Sequence, residues 1–83
     1  MPTFMDVHRL DGGVSLDDVA AAHQKDLEVQ GDHGVDYQRY WVDEDAGLIF
    51  CLVEAPSMDA AVTVHRQAHG LVADEIHEVR EGA

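Results

Sequence analysis

Two periodicities alternate along the chain. Residues 3–10, "TFMDVHRL", read as a strand that Asp11-Gly12-Gly13 ends. Leu16, Val19, Ala20, His23 and Leu27 then fall on one face at helical spacing. Ser15 is suited to cap that helix, with Asp17 and Asp18 favourable in its first turn and Gly31 a stop. "VDYQRYWVD", 35–43, is a second strand rich in β-branched and aromatic residues, and "EDAG" a turn. "GLIFCLVEA", 47–55, is an almost unbroken apolar run, the signature of a central strand buried on both faces. Pro56 ends it. Ser57 caps a second helix, "MDAAVTVHRQAH", closed by Gly70, and 72–81 read as the last strand.

The order β-α-β-β-α-β in 83 residues predicts one α+β domain, 1–83. Right-handed crossovers turn that order into a ferredoxin-like sandwich: one antiparallel sheet, strand order 4-1-3-2, with both helices on one face. Strand three has no polar side. Ile49, Cys51 and Val53 point one way, and Leu48, Phe50 and Leu52 the other. Only one set can lie under the helices. The other predicts a homodimer built sheet to sheet. A small domain buries a modest fraction of its surface, so a partner or a metal would add needed stability.

Charge changes the picture next. Seventeen acidic residues against five basic ones leave a formal charge of -12. Nucleic acid and anionic membranes are repelled by such a surface, and cations are drawn to it. With 46% apolar residues the chain is not disordered. Cys51 is the single cysteine, which fits a reducing, cytoplasmic setting and a small buried hydrophobe. The start of the chain has no apolar stretch of the kind that directs secretion.

The candidate chemistry is carried by histidines. His65 and His69 stand four apart on the second helix, so their rings stack on one stripe and can share a divalent ion. No glutamate follows His65, which removes the H-E-x-x-H protease pattern. His77 on the last strand and His8 on the first belong to neighbouring strands and are expected to approach each other. Asp6 shares a strand face with His8. His23 sits within the apolar face of the first helix and reads as a core histidine; His33 reads as a loop residue. Imidazole and carboxylate together suit nickel, zinc, cobalt or copper. HxxxH alone is a weak signal in a chain with six histidines, and the competing reading of each is a hydrogen-bonded or solvated ring. No nucleophile elbow, phosphate loop or dinucleotide fingerprint occurs, which argues against an enzyme.

The run "LIFCLVEAPSMDAAVTVHRQAHGLVADEIHEV", above all "CLVEAPS" at 51–57 and "HRQAHG" at 65–70, resembles a family of small actinobacterial nickel-binding proteins. The resemblance implies a ferredoxin-like homodimer that binds Ni²⁺ at its surface, in nickel sequestration or tolerance, without catalysis. His65 and His69 lie inside the matching motif and are the first-choice ligands; His77 and His8 follow on chemistry alone. The alternative is a small enzyme or ligand-binding module using a pocket between the facing sheets of a dimer, lined by Asp6, His8 and Tyr37.

Overall fold

The computed structural model describes residues 1–82. Its elements are β1 (Thr3–Arg9), α1 (Leu16–Val29), β2 (Asp36–Asp43), β3 (Leu48–Glu54), α2 (Met58–Ala68) and β4 (Glu75–Val79), with a 3₁₀ turn at Gln30–His33 after α1. The sheet order is β2-β3-β1-β4, the expected 4-1-3-2 read from the other edge, and every neighbouring pair is antiparallel. Both serine caps form. Ser15 Oγ accepts from the Asp18 amide at 3.1 Å and Ser57 Oγ from the Ala60 amide at 3.2 Å.

The core lies between the sheet and the helices. Phe4, Ile49, Cys51 and Val53 from the sheet meet Val19 of α1 and Ala61 and Val64 of α2. The choice of face on β3 follows: Ile49, Cys51 and Val53 are buried, while Leu48, Phe50 and Leu52 are half-buried on the open side of the sheet. Burial on both faces is therefore not completed within one chain. Trp41 stands opposite Phe50 on that open side and is 46% exposed.

β4 is shorter than the sequence pattern, which ran from 72 to 81. Asp74 is taken up by β1 instead: its amide donates to the Val7 carbonyl, and its Oδ2 accepts from the Arg9 amide at 2.7 Å. α1 stops before Gly31 because the 3₁₀ turn tightens its last residues, and the left-handed residue that releases the chain is Gly34, φ 65°. No helix among the described residues is long and apolar enough to cross a membrane.

Candidate metal centre

Polar side chains gather where the hydrophobic pattern would place only apolar ones. Asp6 and His8 occupy the helix-facing side of β1, at 1% and 5% exposure. Asp26 sits in the last turns of α1, buried on the face that carries Val19. His65 comes from the inner side of α2 and is also buried. These four groups survive inside the protein because they satisfy one another. Among the described residues no buried side-chain polar atom lacks a hydrogen-bond partner.

His65 is the hub. Its Nδ1 donates to Asp26 Oδ1 at 2.9 Å and its Nε2 to Asp6 Oδ2 at 2.9 Å. A ring that donates from both nitrogens is an imidazolium. Burial alone would push His65 down. The hydrogen bonds to Asp26 and Asp6, together with their charges, outweigh that and hold it up at about 9. The same bonds act in reverse on the acids. Burial would raise Asp6, but bonds from His65 and His8 bring it far below the usual carboxylate range. Asp26 is lowered likewise, against burial, by His65 and His69.

The second circle of contacts orients the first. His8 Nε2 lies 3.1 Å from Asp6 Oδ1. The Tyr37 hydroxyl reaches Asp6 Oδ2 at 3.1 Å and the Ala61 carbonyl at 3.0 Å, its one hydrogen serving one of them at a time. The Tyr37 ring stacks on His65 with centroids 4.2 Å apart. Burial, then the Asp6 charge, drive the Tyr37 hydroxyl and the Cys51 thiol upward, so both stay protonated. His69, at the C-terminal end of α2, accepts the Leu71 amide on Nδ1 at 3.1 Å. That leaves its Nε2 to donate to Asp26 Oδ1, also 3.1 Å away.

Two sets of donors have the closeness a metal requires: Asp6, His8, Cys51 and His65, all buried, and Asp26, His65 and His69. In the second set the three atoms form a nearly regular triangle. His65 Nδ1 to Asp26 Oδ1 is 2.9 Å, and His69 Nε2 is 3.1 Å from each of the others. The three atoms are close enough for one ion at about 2.1 Å from each to reach them all once their shared protons leave. All three residues line a cavity of about 280 Å³ between α1, the sheet and the end of α2, and His8, His23 and Cys51 line it too.

The sequence-predicted ligands divide. His65, His69 and His8 meet in this region, His8 stacking edge-on against His65 at 5.0 Å between centroids. His77 does not join them. The β1–β4 register sets it opposite Met5, on the open side of the sheet, whereas His8 points under the helices. His77 is 60% exposed, 3.5 Å from Glu75. The expected approach of His8 and His77 is thus ruled out within one chain by the alternation of strand side chains. The cluster also lies inside the protein, not on its surface. Asp26 was missed altogether. Its signal was available: it follows Val19 and His23 at helical spacing, a carboxylate on an apolar stripe. His23 is half-buried against Tyr40, its centroid 4.8 Å away. Burial lowers its pKa, with Asp26 opposing. His33 bonds Gln67 at the surface. Tyr37 belongs to the cluster but does not line this cavity, which lies under the helices; a second pocket, on the open side of the sheet, is lined by Met5, Trp41 and Leu52 among others.

Comparison with known proteins gives this geometry a context. A family model described as nickel responsive protein SCO4226-like matches residues 4–79. The chain belongs to that family. The crystal structure of SCO4226 from Streptomyces coelicolor A3(2) is 47% identical in sequence, superposes with a TM-score of 0.90, and is matched over 98% of this chain and 99% of that one. Curated proteins give no match. Asp6, His8, Asp26, His65 and His69 all lie within the matched span, residues 4–79.

Proposed function

We propose that this protein binds Ni²⁺ and serves in nickel sequestration or tolerance, and that Asp26, His65 and His69 are the ligands. The observation that carries the reading is the donor triangle, with edges of 2.9, 3.1 and 3.1 Å, opening on a cavity. Two imidazoles with one carboxylate suit a divalent transition metal that accepts nitrogen and oxygen, as nickel does. Asp6 supports from behind. It holds the far nitrogen of His65 as carboxylates hold ligating histidines elsewhere. His8 and Cys51, with Asp6, form the second donor set that shares His65.

Binding exchanges protons for metal. His65 gives up the proton on Nδ1, and coordination through His69 Nε2 moves that ring's remaining proton to Nδ1, where the Leu71 amide now donates. Uptake therefore loosens the 69–71 turn and releases about one proton near pH 7.5.

Isothermal titration of untagged protein with Ni²⁺, in two buffers of different ionisation enthalpy, tests this. Wild type is expected to bind with release of about one proton, and His77→Ala to behave the same. His69→Ala, its fold checked by circular dichroism, should bind at least about 10-fold more weakly, the loss typical when a ligand or its support is removed. Equal uptake by wild type and His69→Ala would remove the site. A heat independent of buffer would remove the proton exchange at His65.

A further inference from the structure

We propose that the cavity beneath the helices is a binding site for a small organic cation, a primary amine carrying an apolar body. The cavity holds about 280 Å³. At roughly 30 Å³ for each water-sized group, that admits about nine such groups. Its walls are Leu10, Val14, Val19, Ala22, Ile49 and Leu71. Such walls offer water few partners, and they suit a hydrocarbon body.

The polar end selects the head group. His8, Asp26, His65 and His69 line it, and Asp6 lies directly behind, bonded to His8 and His65. The Asp26 carboxylate is thus at the cavity wall and the Asp6 carboxylate one ring behind it. None of the cavity's lining residues is lysine or arginine. A carboxylate or phosphate ligand would therefore meet the Asp26 and Asp6 carboxylates with no lysine or arginine to offset them. An ammonium meets the opposite: the Asp26 carboxylate beside imidazole rings, which attracts it. The chain's overall charge of -12 also draws cations toward the opening. The site shares Asp26 with the proposed nickel ligands, so amine and Ni²⁺ compete there, whereas the apolar walls serve the amine alone.

The test uses the full chain, untagged and stripped of metal with a chelator, at pH 7.5. Phenethylamine, phenethyl alcohol and phenylacetate share one body and differ in charge. Each is titrated into ¹⁵N-labelled protein and followed by amide chemical shifts. The amine is expected to bind at least tenfold more tightly than the alcohol, and the acid not at all. Shifts should centre on Val14, Val19, Ala22 and Ile49. Ala22→Leu fills the cavity with a residue that keeps helix propensity, and should weaken the amine at least tenfold. Comparable binding of acid and amine would overturn the proposal. So would an amine affinity unchanged by Ala22→Leu, which would place the amine on the acidic surface, or the absence of any shift at millimolar amine. Should Ala22→Leu unfold, amine against acid on wild type still decides.

Discussion

At the scale of single residues, the cluster is a set of charges held inside the protein by one another. The folded state keeps His65 protonated at about 9, while an unfolded histidine titrates near 6.5. Its contribution to stability is therefore complete below about pH 6.5 and lost as pH rises toward 9. Asp6 and Asp26 are depressed, so their contribution is present above about pH 4 and lost on acidification. Both statements describe the same hydrogen bonds, counted once. Metal-free protein should be most stable between about pH 4 and 6.5, and lose on the order of a few kcal/mol by pH 9. Urea unfolding at pH 5.5, 7.5 and 9 measures this. A midpoint that does not fall between pH 6.5 and 9 would contradict a charged His65. Proton and nickel compete for the same nitrogen, so the alkaline loss should shrink when Ni²⁺ is added.

At the scale of elements, most of the fold was written in local pattern. The serine caps, the β3 apolar run and the strand order all follow from spacing and chain direction. Errors fell at element ends, where tertiary bonds outcompete propensity, as at Asp74. The turn between β2 and β3 shows a stricter demand. Gly47 adopts φ 71°, and its amide donates to the Asp43 carbonyl at 2.9 Å. A Cβ there would collide with the Leu10 carbonyl oxygen, to which the chain is tied through Leu10 N–H and Gly47 O at 2.8 Å. Gly12 has φ 83° but open space around it. Gly47→Ala should therefore cost more than about 2 kcal/mol, and Gly12→Ala about 1 kcal/mol, in denaturant unfolding. Equal costs would show that the Leu10 contact matters little.

At the scale of the whole molecule, the open side of the sheet awaits a cover. Met5, Phe50, Leu52 and Trp41 are apolar and incompletely buried there. We propose that a second copy covers them, face to face; the apolar character of β3 on both sides supports this. His77, on the same side, then lies at or beside the contact. The Asp26–His65–His69 triangle is on the opposite side of the sheet, so dimer formation and the proposed metal uptake should separate. Leu52→Glu is expected to halve the mass measured by light scattering while leaving nickel uptake within about threefold of wild type. Retention of the larger mass would count against this face; a monomeric wild type would end the proposal.

The sequence by itself determined the α+β architecture, its strand order, the two alternating apolar sets of β3 and a supply of imidazole and carboxylate, because alternation, helical spacing and chain direction are local properties. It also placed Asp6 beside His8 and His65 above His69, since those pairs are set by strand and helix repeat alone. Only the tertiary structure decided that β1, α1 and α2 bring Asp6, Asp26 and His65 into one buried set, and that His77 is turned away from it. The physical reason is that these contacts join residues 39 and 59 positions apart in the chain, and no local period records which faces will meet.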